Sequence, residues 1–390
     1  MSDDRERVGV LHIITLSSWG GAQQVCHDIA THMDKRRYLT EVACAGGGEL
    51  VERLRERGVV VHEVNSLGRN ISVLRDLRAV VELCRLIRKG RYSIVHCHSS
   101  KAGMAGRLAA WLAGTPRRYF TAHGWGFYNA QEYGHMRRLL ILSERLCARI
   151  STKVVCVSES VRRDGVKERI AKEGKFVVIR NGLAPDNAAR TKRDFLRNMI
   201  GARGGDTVFG MVARLAYPKD PLLFLGAARR VREAHCGAKF VLMGAGPLYA
   251  ECEEFVKVEG LEESVFLLGF RGDARELLAG LDVFVLCSRF EGLPVTIIEA
   301  MFSGLPVIAG NVGGIGELVE HRRNGFLISP NDVDELTEAM IEIIKNPSDR
   351  VRMGRESREM AVAYYTVDRM IAGYQSLYED EECQTDGVCR

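Results

Sequence analysis

Short apolar runs alternate with longer amphipathic stretches along almost the whole chain. The short runs are rich in Val, Ile and Phe, which is typical of buried β-strands, whereas the longer stretches show the 3.6-residue period of helices. Strands that alternate with helices form a parallel sheet with helices on both faces. The pattern therefore predicts an α/β protein with doubly wound parallel sheets.

In the first half, the predicted strands are residues 8–16, 39–45, 59–64, 93–97, 118–121, 153–158 and 176–180. In the second half, they are residues 208–213, 239–243, 265–268, 283–287, 307–309 and 325–328. The first helix is predicted to follow the turn Ser17-Ser-Trp-Gly20-Gly21-Ala-Gln and to end at about residue 33. Further helices are predicted over 74–89, 103–112, 136–150, 221–235, 246–258, 274–279, 295–302, 315–321, 333–346 and 367–379.

The alternation is interrupted once, by a polar stretch between Pro185 and Thr207, where we place an interdomain linker. A chain of 390 residues is too long for one ordinary core and suits two domains. We predict Rossmann-like domains over residues 1–188 and 189–365, with the deepest cleft between them. The helix at 366–380 is expected to pack back toward the first domain, and residues 381–390 to form a disordered tail.

The composition indicates the cellular compartment in which the protein is expected to work. No apolar run reaches the roughly 18 residues that a membrane-spanning helix needs, and the N-terminus lacks the features of a signal peptide. The eleven cysteines are scattered without a C-x-x-C pair, so buried reduced thiols are expected. Cys383 and Cys389 lie in the predicted tail and receive no role. These features indicate a cytoplasmic protein.

The net charge of +5 hides an asymmetry between the two halves. Residues 1–185 contain 31 Lys and Arg against 18 Asp and Glu, a balance of +13, so the remainder carries −8. A basic first half suggests an anionic partner, such as membrane headgroups or a phosphate-bearing acceptor. Charge alone would also fit nucleic acid, but the interleaved aromatic residues of such proteins are missing, so no nucleic-acid partner is predicted.

The stretch from Glu291 to Glu299 is the strongest candidate for chemistry. It follows a predicted buried strand, and Gly292-Leu293-Pro294 makes a turn into a predicted helix. Proline suits the first helical turn, and the N-terminus of a helix favours phosphate or a developing anion. The two carboxylates would lie on one face if both were helical. The alternative is a pair of surface glutamates beside an ordinary turn.

Three other loops of the second half follow predicted strands. Arg214 and Lys219 are five positions apart and can hold a diphosphate, although an exposed pair is the simpler alternative. Gly244 and Gly246 form a turn that is compatible with a close nucleotide. Phe270 and Arg271 lie in a loop whose backbone could meet a base.

In the first half, Gly20 and Gly21 form a glycine turn between strand and helix, which suits either an anion or a tight turn. His96 and His98 share one strand face, but no third ligand with metal spacing is visible, so no metal site is predicted. His123 follows a strand among glycines and aromatics and is the best candidate histidine, against a structural role.

The helix at 136–150 carries arginines beside leucines. It could rest on a membrane surface, although a core-facing helix with solvated arginines is the more common case.

Taken together, these motifs resemble the retaining glycosyltransferases of family 4, which have the GT-B architecture of two facing Rossmann-like domains. The ordered set that carries the resemblance is Arg214, Lys219, Gly244-x-Gly246-Pro247, Gly269, Glu291-x7-Glu299 and Gly313-Gly314-x-x-Glu317. The segment from His98 to Ala102, with His123-Gly-Trp125, resembles the subgroup that extends lipid-linked sugars for bacterial capsule, O-antigen or exopolysaccharide.

The resemblance implies a role for each motif. The first domain would bind the acceptor and the second the nucleotide sugar, expected to carry UDP. Glu291 would contact the donor sugar, Glu299 the ribose, and Arg214 and Lys219 the diphosphate. Gly20 and Gly21 would close on the diphosphate, and domain closure would bring His123 to the donor sugar. The residues expected near the donor are Gly244, Gly246, Phe270, Arg271, Gly292, Leu293 and Pro294. Those expected near the acceptor are His98, Ser99, Lys101 and Trp125.

The expected reaction needs no metal ion and no cofactor, because fixed positive charge stabilises the departing diphosphate. The expected acceptor is a saccharide linked to undecaprenyl diphosphate, met at the cytoplasmic face of the membrane. Three alternatives stay open: transfer to a soluble small molecule, a UDP-sugar 2-epimerase and a non-catalytic nucleotide-sugar-binding protein. The family often has glycine before the arginine and after the lysine, whereas this chain has Ala213 and Asp220.

Overall fold

The computed structural model describes residues 7–68, 72–128, 136–185 and 193–380. The chain divides into two compact units, one made of Met1–Gly182 with Val367–Arg390 and the other of Leu183–Thr366. The predicted boundary between residues 188 and 189 and the predicted tail at 381–390 lie outside the described residues.

The first unit is built on seven strands: β1 (Val8–Ile14), β2 (Tyr38–Cys44), β3 (Val60–Glu63), β4 (Ile94–His98), β5 (Arg117–Ala122), β6 (Lys153–Cys156) and β7 (Phe176–Val178). All pair in parallel, in the order β3-β2-β1-β4-β5-β6-β7. Its helices are α1 (Gly21–His32), α2 (Glu49–Glu56), α3 (Val73–Gly90), α4 (Ser100–Leu112), α5 (Arg137–Arg149) and α6 (Glu159–Lys167).

The second unit begins with α7 (Arg193–Met199) and contains six parallel strands in the order β10-β9-β8-β11-β12-β13. These are β8 (Thr207–Val212), β9 (Ala238–Met243), β10 (Val265–Leu267), β11 (Val283–Leu286), β12 (Val307–Gly310) and β13 (Gly325–Ile328). The helices between and after them are α8 (Pro221–Ala234), α9 (Tyr249–Val258), α10 (Ala274–Leu277), α11 (Val295–Phe302), α12 (Ile315–Leu318), α13 (Val333–Lys345) and α14 (Pro347–Tyr364).

The final helix, α15 (Val367–Asp380), belongs to the first unit although it follows the second in sequence. It packs beside α1, and its Tyr374 and Tyr378 are fully buried. The Tyr378 hydroxyl lies 2.6 Å from His96 Nδ1, and Arg117 donates a hydrogen bond of 2.9 Å to the Tyr378 carbonyl. The last helix therefore completes the core of the first unit.

The predicted fold class is confirmed: each predicted strand is present, and both sheets are parallel and doubly wound. The stretch predicted as the interdomain linker contains α7, for which no helix was predicted. Leu196 of α7 is fully buried, and the buried Arg197 forms an ion pair of 2.9 Å with Asp282. The nine cysteines that the structure describes are free thiols, as predicted, and Cys383 and Cys389 lie outside this part of the chain.

Helix α5 faces the core, as in the more common of the two expectations, but most of its leucines do not. Its leucines Leu139, Leu142 and Leu146 are 51–55 % exposed, whereas Glu144 is buried. Glu144 accepts a hydrogen bond of 2.7 Å from the fully buried Arg107 of α4. The arginine also lies 4.1 Å above the Phe120 ring. The buried ion pair therefore lies on the core-facing side of α5, together with Ile141 and Ala148.

We expect Glu144→Leu to lower the free energy of unfolding by about 3–5 kcal/mol, because it leaves the buried Arg107 guanidinium without its counter-charge. Urea denaturation followed by circular dichroism measures the change. The double variant Arg107→Met/Glu144→Leu should recover most of the loss, since it removes both charges. A single variant that costs less than the double one would contradict this account of α5.

Candidate active site

The order of the strands reverses between β8 and β11 in the second unit and between β1 and β4 in the first. In open parallel sheets, ligands bind beyond the carboxyl ends of the strands at such a reversal. The loop after β8 contains Arg214 and Lys219, and the loop after β11 contains Glu291. The fold therefore brings three predicted site residues to the switch point of one sheet.

At this switch point, Lys219 forms an ion pair with Glu291. The Ser288 hydroxyl donates a second hydrogen bond of 2.6 Å to the same carboxylate oxygen. The side chain of Glu291 is only 10 % exposed, while that of Lys219 is 27 % exposed. The carboxylate is therefore held in one orientation, and the ammonium group stays accessible to an anion.

A second ion pair joins the same two loops, and the sequence analysis missed it. Arg289 contacts the Asp220 carboxylate at 2.7 and 2.8 Å, and its guanidinium lies 4.7 Å above the Tyr217 ring. Asp220 has a left-handed backbone with φ 49°, a conformation that favours glycine and that Asp tolerates. This explains how Asp replaces the glycine that is frequent in the family. The sequence signal for this ion pair was the presence of Asp220 where the family often has glycine.

Two glycines are required because protein backbone approaches them closely. Gly313 has φ 54°, and a Cβ atom there would lie 1.8 Å from the Glu291 carbonyl oxygen. Gly244 has φ 156°, and its Cβ would lie 1.8 Å from the Ala213 carbonyl oxygen. Both glycines therefore hold neighbouring loops against the residues that carry the candidate charges.

Gly246 is packed in a similar way, since an added Cβ would lie 2.2 Å from the Leu215 carbonyl oxygen. In addition, Leu215 N donates a hydrogen bond of 3.0 Å to the carbonyl oxygen of Ala245, which lies in the loop after β9. The glycine turn is therefore packed against the loop that contains the exposed Arg214. Its contact with a nucleotide stays a prediction.

Helix α11 begins after Pro294, as predicted from the proline. Gly292, Leu293 and Pro294 are buried, so they support the turn and offer a ligand backbone rather than side chains. Glu291 precedes the helix and Glu299 lies inside it, half-buried, so the condition for one shared helical face is not met. The positive end of the helix dipole follows Glu291 directly.

A weaker prediction in the second unit was that the loop after β10 meets the base of the nucleotide. Phe270 is 60 % exposed there, so its ring is open to a planar ligand. Arg271 makes two hydrogen bonds of 2.8 Å to the Asp273 carboxylate. The guanidinium is thus already occupied by a neighbour in its own loop.

In the first unit, the loops after β1 and β4 are tied together. Thr15 Oγ1 lies 2.8 Å from Ser99 Oγ and accepts a hydrogen bond of 2.9 Å from Ala102 N. Lys101 forms an ion pair of 2.8 Å with Asp76. Gly20 directly precedes α1, which begins at Gly21, so the glycine turn lies where predicted between β1 and a helix N-terminus.

Trp125 is buried, and its indole N–H donates a hydrogen bond of 2.8 Å to the Val161 carbonyl. His98 is fully buried as well and lies between two other histidines, with its Nε2 3.1 Å from His12 Nδ1 and its Nδ1 3.3 Å from His123 Nε2. Each of the four residues predicted to bind an acceptor has a partner within the first unit; they are Ser99, Lys101, Trp125 and His98. Their contact with an acceptor stays a prediction. His123 is half-buried.

His12 adds a third histidine to the pair considered for a metal. Ligand atoms of His12, His96 and His98 lie within 4.8 Å of one another. However, the rings of His96 and His98 are stacked at an angle of 10°. A metal ion lies in the plane of each imidazole that binds it, and nearly parallel planes do not meet at one ion. Both nitrogens of His96 also contact hydroxyl groups, those of Tyr378 and Thr121. The arrangement does not fit a metal centre.

Comparison with known proteins agrees with the geometry. The model of the family described as Glycosyltransferase Family 4 matches residues 19–187, and that described as Glycosyl transferases group 1 matches residues 192–360. A UDP-Gal:alpha-D-GlcNAc-diphosphoundecaprenol alpha-1,3-galactosyltransferase of Escherichia coli is 30 % identical over 97 % of this chain and 99 % of that protein. The chain belongs to glycosyltransferase family 4.

Other relatives of this glycosyltransferase include the putative glycosyltransferase EpsF of Bacillus subtilis, 28 % identical over 76 % of this chain and 77 % of that protein. Among solved structures, Anabaena HepE in complex with UDP-glucose superimposes with a TM-score of 0.83 at 21 % identity, covering 96 % of this chain and all of that one. The predicted GT-B fold is thereby confirmed. None of the described helices of this glycosyltransferase is both long and apolar enough to cross a membrane.

We expect Gly313→Ala to destabilise this glycosyltransferase by about 2–4 kcal/mol, from a strained positive φ and a forced backbone contact. Because the displaced atom is the Glu291 carbonyl, the rate of sugar transfer should fall as well. Thermal unfolding and initial rates measure both effects. Gly272→Ala is the matched control, since a Cβ there meets nothing within 4 Å. Equal behaviour of the two variants would contradict the account of Gly313.

Proposed function

We propose that this chain transfers a sugar from a UDP-sugar to a saccharide linked to a lipid diphosphate, with retention of the anomeric configuration. The observation that carries the proposal is the Lys219–Glu291 pair at the switch point of the second unit, directly before the N-terminus of α11. The name of the Escherichia coli relative, which is similar over nearly the full length of both chains, supports both the donor and the acceptor.

The reaction breaks the bond between the anomeric carbon and the diphosphate oxygen, and it forms the new glycosidic bond on the same face of the sugar. Negative charge grows on the departing diphosphate, and the acceptor hydroxyl loses a proton, which a diphosphate oxygen takes up. Lys219, Arg214 and the positive end of α11 supply fixed charge for the leaving group, so no metal ion is required.

Glu291 orients the donor. Its carboxylate is held by Lys219 and by the Ser288 hydroxyl, and hydrogen bonds from both restrict its rotation. A carboxylate held in this way accepts hydrogen bonds from sugar hydroxyl groups with little loss of side-chain entropy. We assign Glu299 to the ribose of the nucleotide and His123 to the donor sugar, as the family resemblance implies.

We expect Glu291→Gln to lower kcat about a hundredfold, the effect of a misoriented reacting group, while UDP still binds. Arg214→Ala and Lys219→Ala should each weaken UDP binding about ten- to hundredfold, because each removes a charged hydrogen bond. Initial rates and calorimetric titration with UDP measure these effects. Glu262→Gln, an exposed carboxylate of the same unit, is the control. Wild-type turnover in Glu291→Gln would remove the central assignment.

The assay uses a panel of UDP- and GDP-sugars with lipid-diphosphate-linked and soluble acceptors, and proton NMR assigns the anomer of the product. Retention, with an unchanged rate after EDTA treatment, is the expected result. Epimerised donor in the absence of acceptor would indicate a 2-epimerase, and UDP binding without turnover would indicate a binding protein. Transfer only to soluble acceptors would overturn the lipid-linked acceptor.

A lipid-linked acceptor requires contact with a membrane, and one surface of the first unit suits it. Three neighbouring helices, α3, α4 and α5, present apolar side chains to solvent. On α3, Leu74, Leu77 and Val81 share one stripe with Arg85 and Arg88, opposite the buried Leu83. Exposed apolar side chains can enter the headgroup boundary of a bilayer, and arginines beside them can attract anionic lipids; both contributions strengthen binding at a membrane surface.

The other two helices continue the same character. Trp111 and Leu112 of α4 are 51 % and 46 % exposed, and Arg88 of α3 donates a hydrogen bond of 2.9 Å to the Leu112 carbonyl. The exposed leucines of α5 stand beside Arg138 and Arg149. We propose that this surface, which we call the leucine–arginine face, rests on an anionic bilayer.

We expect the protein to float with vesicles of phosphatidylglycerol and phosphatidylethanolamine at low salt, and not with phosphatidylcholine alone. The triple variant Leu139→Ser/Leu142→Ser/Leu146→Ser should bind at least about tenfold more weakly, because each leucine contributes roughly 1.5–3 kcal/mol when fully buried. Val351→Ser/Val362→Ser alters two exposed apolar residues of the second unit and serves as the control. Equal flotation of both variants would refute the leucine–arginine face.

A further inference from the structure

Three histidines form a line through the core of the first unit toward its carboxyl edge. His12 lies on β1 and His98 on β4, the next strand of the sheet, and both are fully buried. His123 follows β5 and is half-buried. His98 Nε2 is 3.1 Å from His12 Nδ1, and His98 Nδ1 is 3.3 Å from His123 Nε2. We call these three residues the histidine chain.

His96 lies next to the histidine chain but is not part of it. Its Nδ1 is 2.6 Å from the Tyr378 hydroxyl, and its Nε2 is 2.7 Å from the Thr121 hydroxyl. Both of its ring nitrogens are therefore occupied by partners outside the chain. His96 stacks on His98 without exchanging a hydrogen bond with it.

All three rings of the chain are neutral. Burial lowers the pKa of His12 to about 3 and the pKa of His123 to about 4. Burial, followed by the neighbouring histidines, lowers the pKa of His98 well below its usual value. A neutral imidazole has one N–H and one bare nitrogen. Each ring can therefore donate one hydrogen bond and accept one.

This count leaves two arrangements. If His98 donates from Nδ1 to His123, then His123 carries its hydrogen on Nδ1, and His98 Nε2 accepts from Nδ1 of His12. If His98 donates from Nε2 to His12, then His12 carries its hydrogen on Nε2, and His98 Nδ1 accepts from Nε2 of His123. In the first arrangement all three hydrogens are on Nδ1, and in the second all three are on Nε2. A mixture of the two would leave one short N···N contact without a hydrogen or with two.

We propose that His98 and His12 are positioning residues that set the tautomer of His123 and thereby decide whether its Nδ1 donates or accepts. His12 Nε2, at the buried end, has no hydrogen-bond partner among the described residues. No described group is therefore placed to take up a proton at that end, and we assign the chain no relay role. The three hydrogens instead change position only together, so His123 presents a donor or an acceptor to a ligand without rotation of a hydroxyl.

The consequence for sugar transfer rests on the proposed function, in which His123 contacts the donor sugar. A sugar hydroxyl can donate or accept, so an imidazole with a fixed hydrogen selects one orientation of that hydroxyl. Preorganised polarity of this kind favours the transition state because no reorientation is needed during the reaction. The coupling of the three tautomers does not require a ligand, so it can be measured in the free protein.

The test is long-range proton–nitrogen NMR of the ¹⁵N-histidine-labelled full-length protein, with assignments from single histidine substitutions. We expect His12, His98 and His123 to carry their hydrogens on the same ring nitrogen, either Nδ1 or Nε2 in all three. One ring with the opposite tautomer in the native protein would overturn the proposal, and this spectrum requires no folded variant.

The second measurement uses His98→Phe, which removes both contacts of the central ring. We expect the His123 signals to change to a fast-exchanging mixture of tautomers and kcat to fall about tenfold with little change in KM. His96→Gln, an equally buried substitution on the same strand, should leave the tautomer of His123 unchanged. An unchanged His123 tautomer in His98→Phe would overturn the proposal. A shared tautomer in the native protein would support the histidine chain. If His98→Phe and His123→Ala also transfer sugar at the wild-type rate, the assigned role of His123 is refuted.

Discussion

Two ion pairs join the loop after β8 to the loop after β11, and the candidate site of the second unit depends on them. Lys219 meets Glu291, and Asp220 meets Arg289, so adjacent residues of one loop hold two positions of the other. A backbone hydrogen bond of 2.9 Å from Arg289 N to the Pro218 carbonyl oxygen joins the same two loops. With these contacts, the carboxylate and the ammonium group stay at the switch point of the sheet, where the N-terminus of α11 adds positive potential.

The strands could be predicted because their own composition determines them. Most are short runs rich in β-branched and aromatic residues, and central strands such as β4, β11 and β12 are buried on both faces, so their signal is local. Helices α2, α6, α7 and α14 were not predicted, because they are short or highly charged. Helix α7 illustrates the reason: it is anchored by Leu196 and by the pairing of Arg197 with Asp282, which is distant in sequence.

The site could be predicted only in part. Arg214, Lys219 and Glu291 follow neighbouring strands of a parallel sheet, and the alternation of strands and helices already places such loops at one edge. The contact partner of each side chain could not be predicted. Nothing in an apolar strand marks His12 as the neighbour of His98, since this depends on β1 and β4 being adjacent. Likewise, the burial of Glu144 could not be predicted, because its partner Arg107 lies on another helix.

The position of α15 has a consequence for biosynthesis. Tyr378 and Tyr374 complete the core of the first unit, yet they leave the ribosome after all of the second unit, Leu183–Thr366, has been made. At about 5–20 residues per second, synthesis of the intervening segment takes on the order of tens of seconds. During that time the first unit lacks the two tyrosines that contact its buried His96. The unit that is synthesised first is therefore the last to be completed.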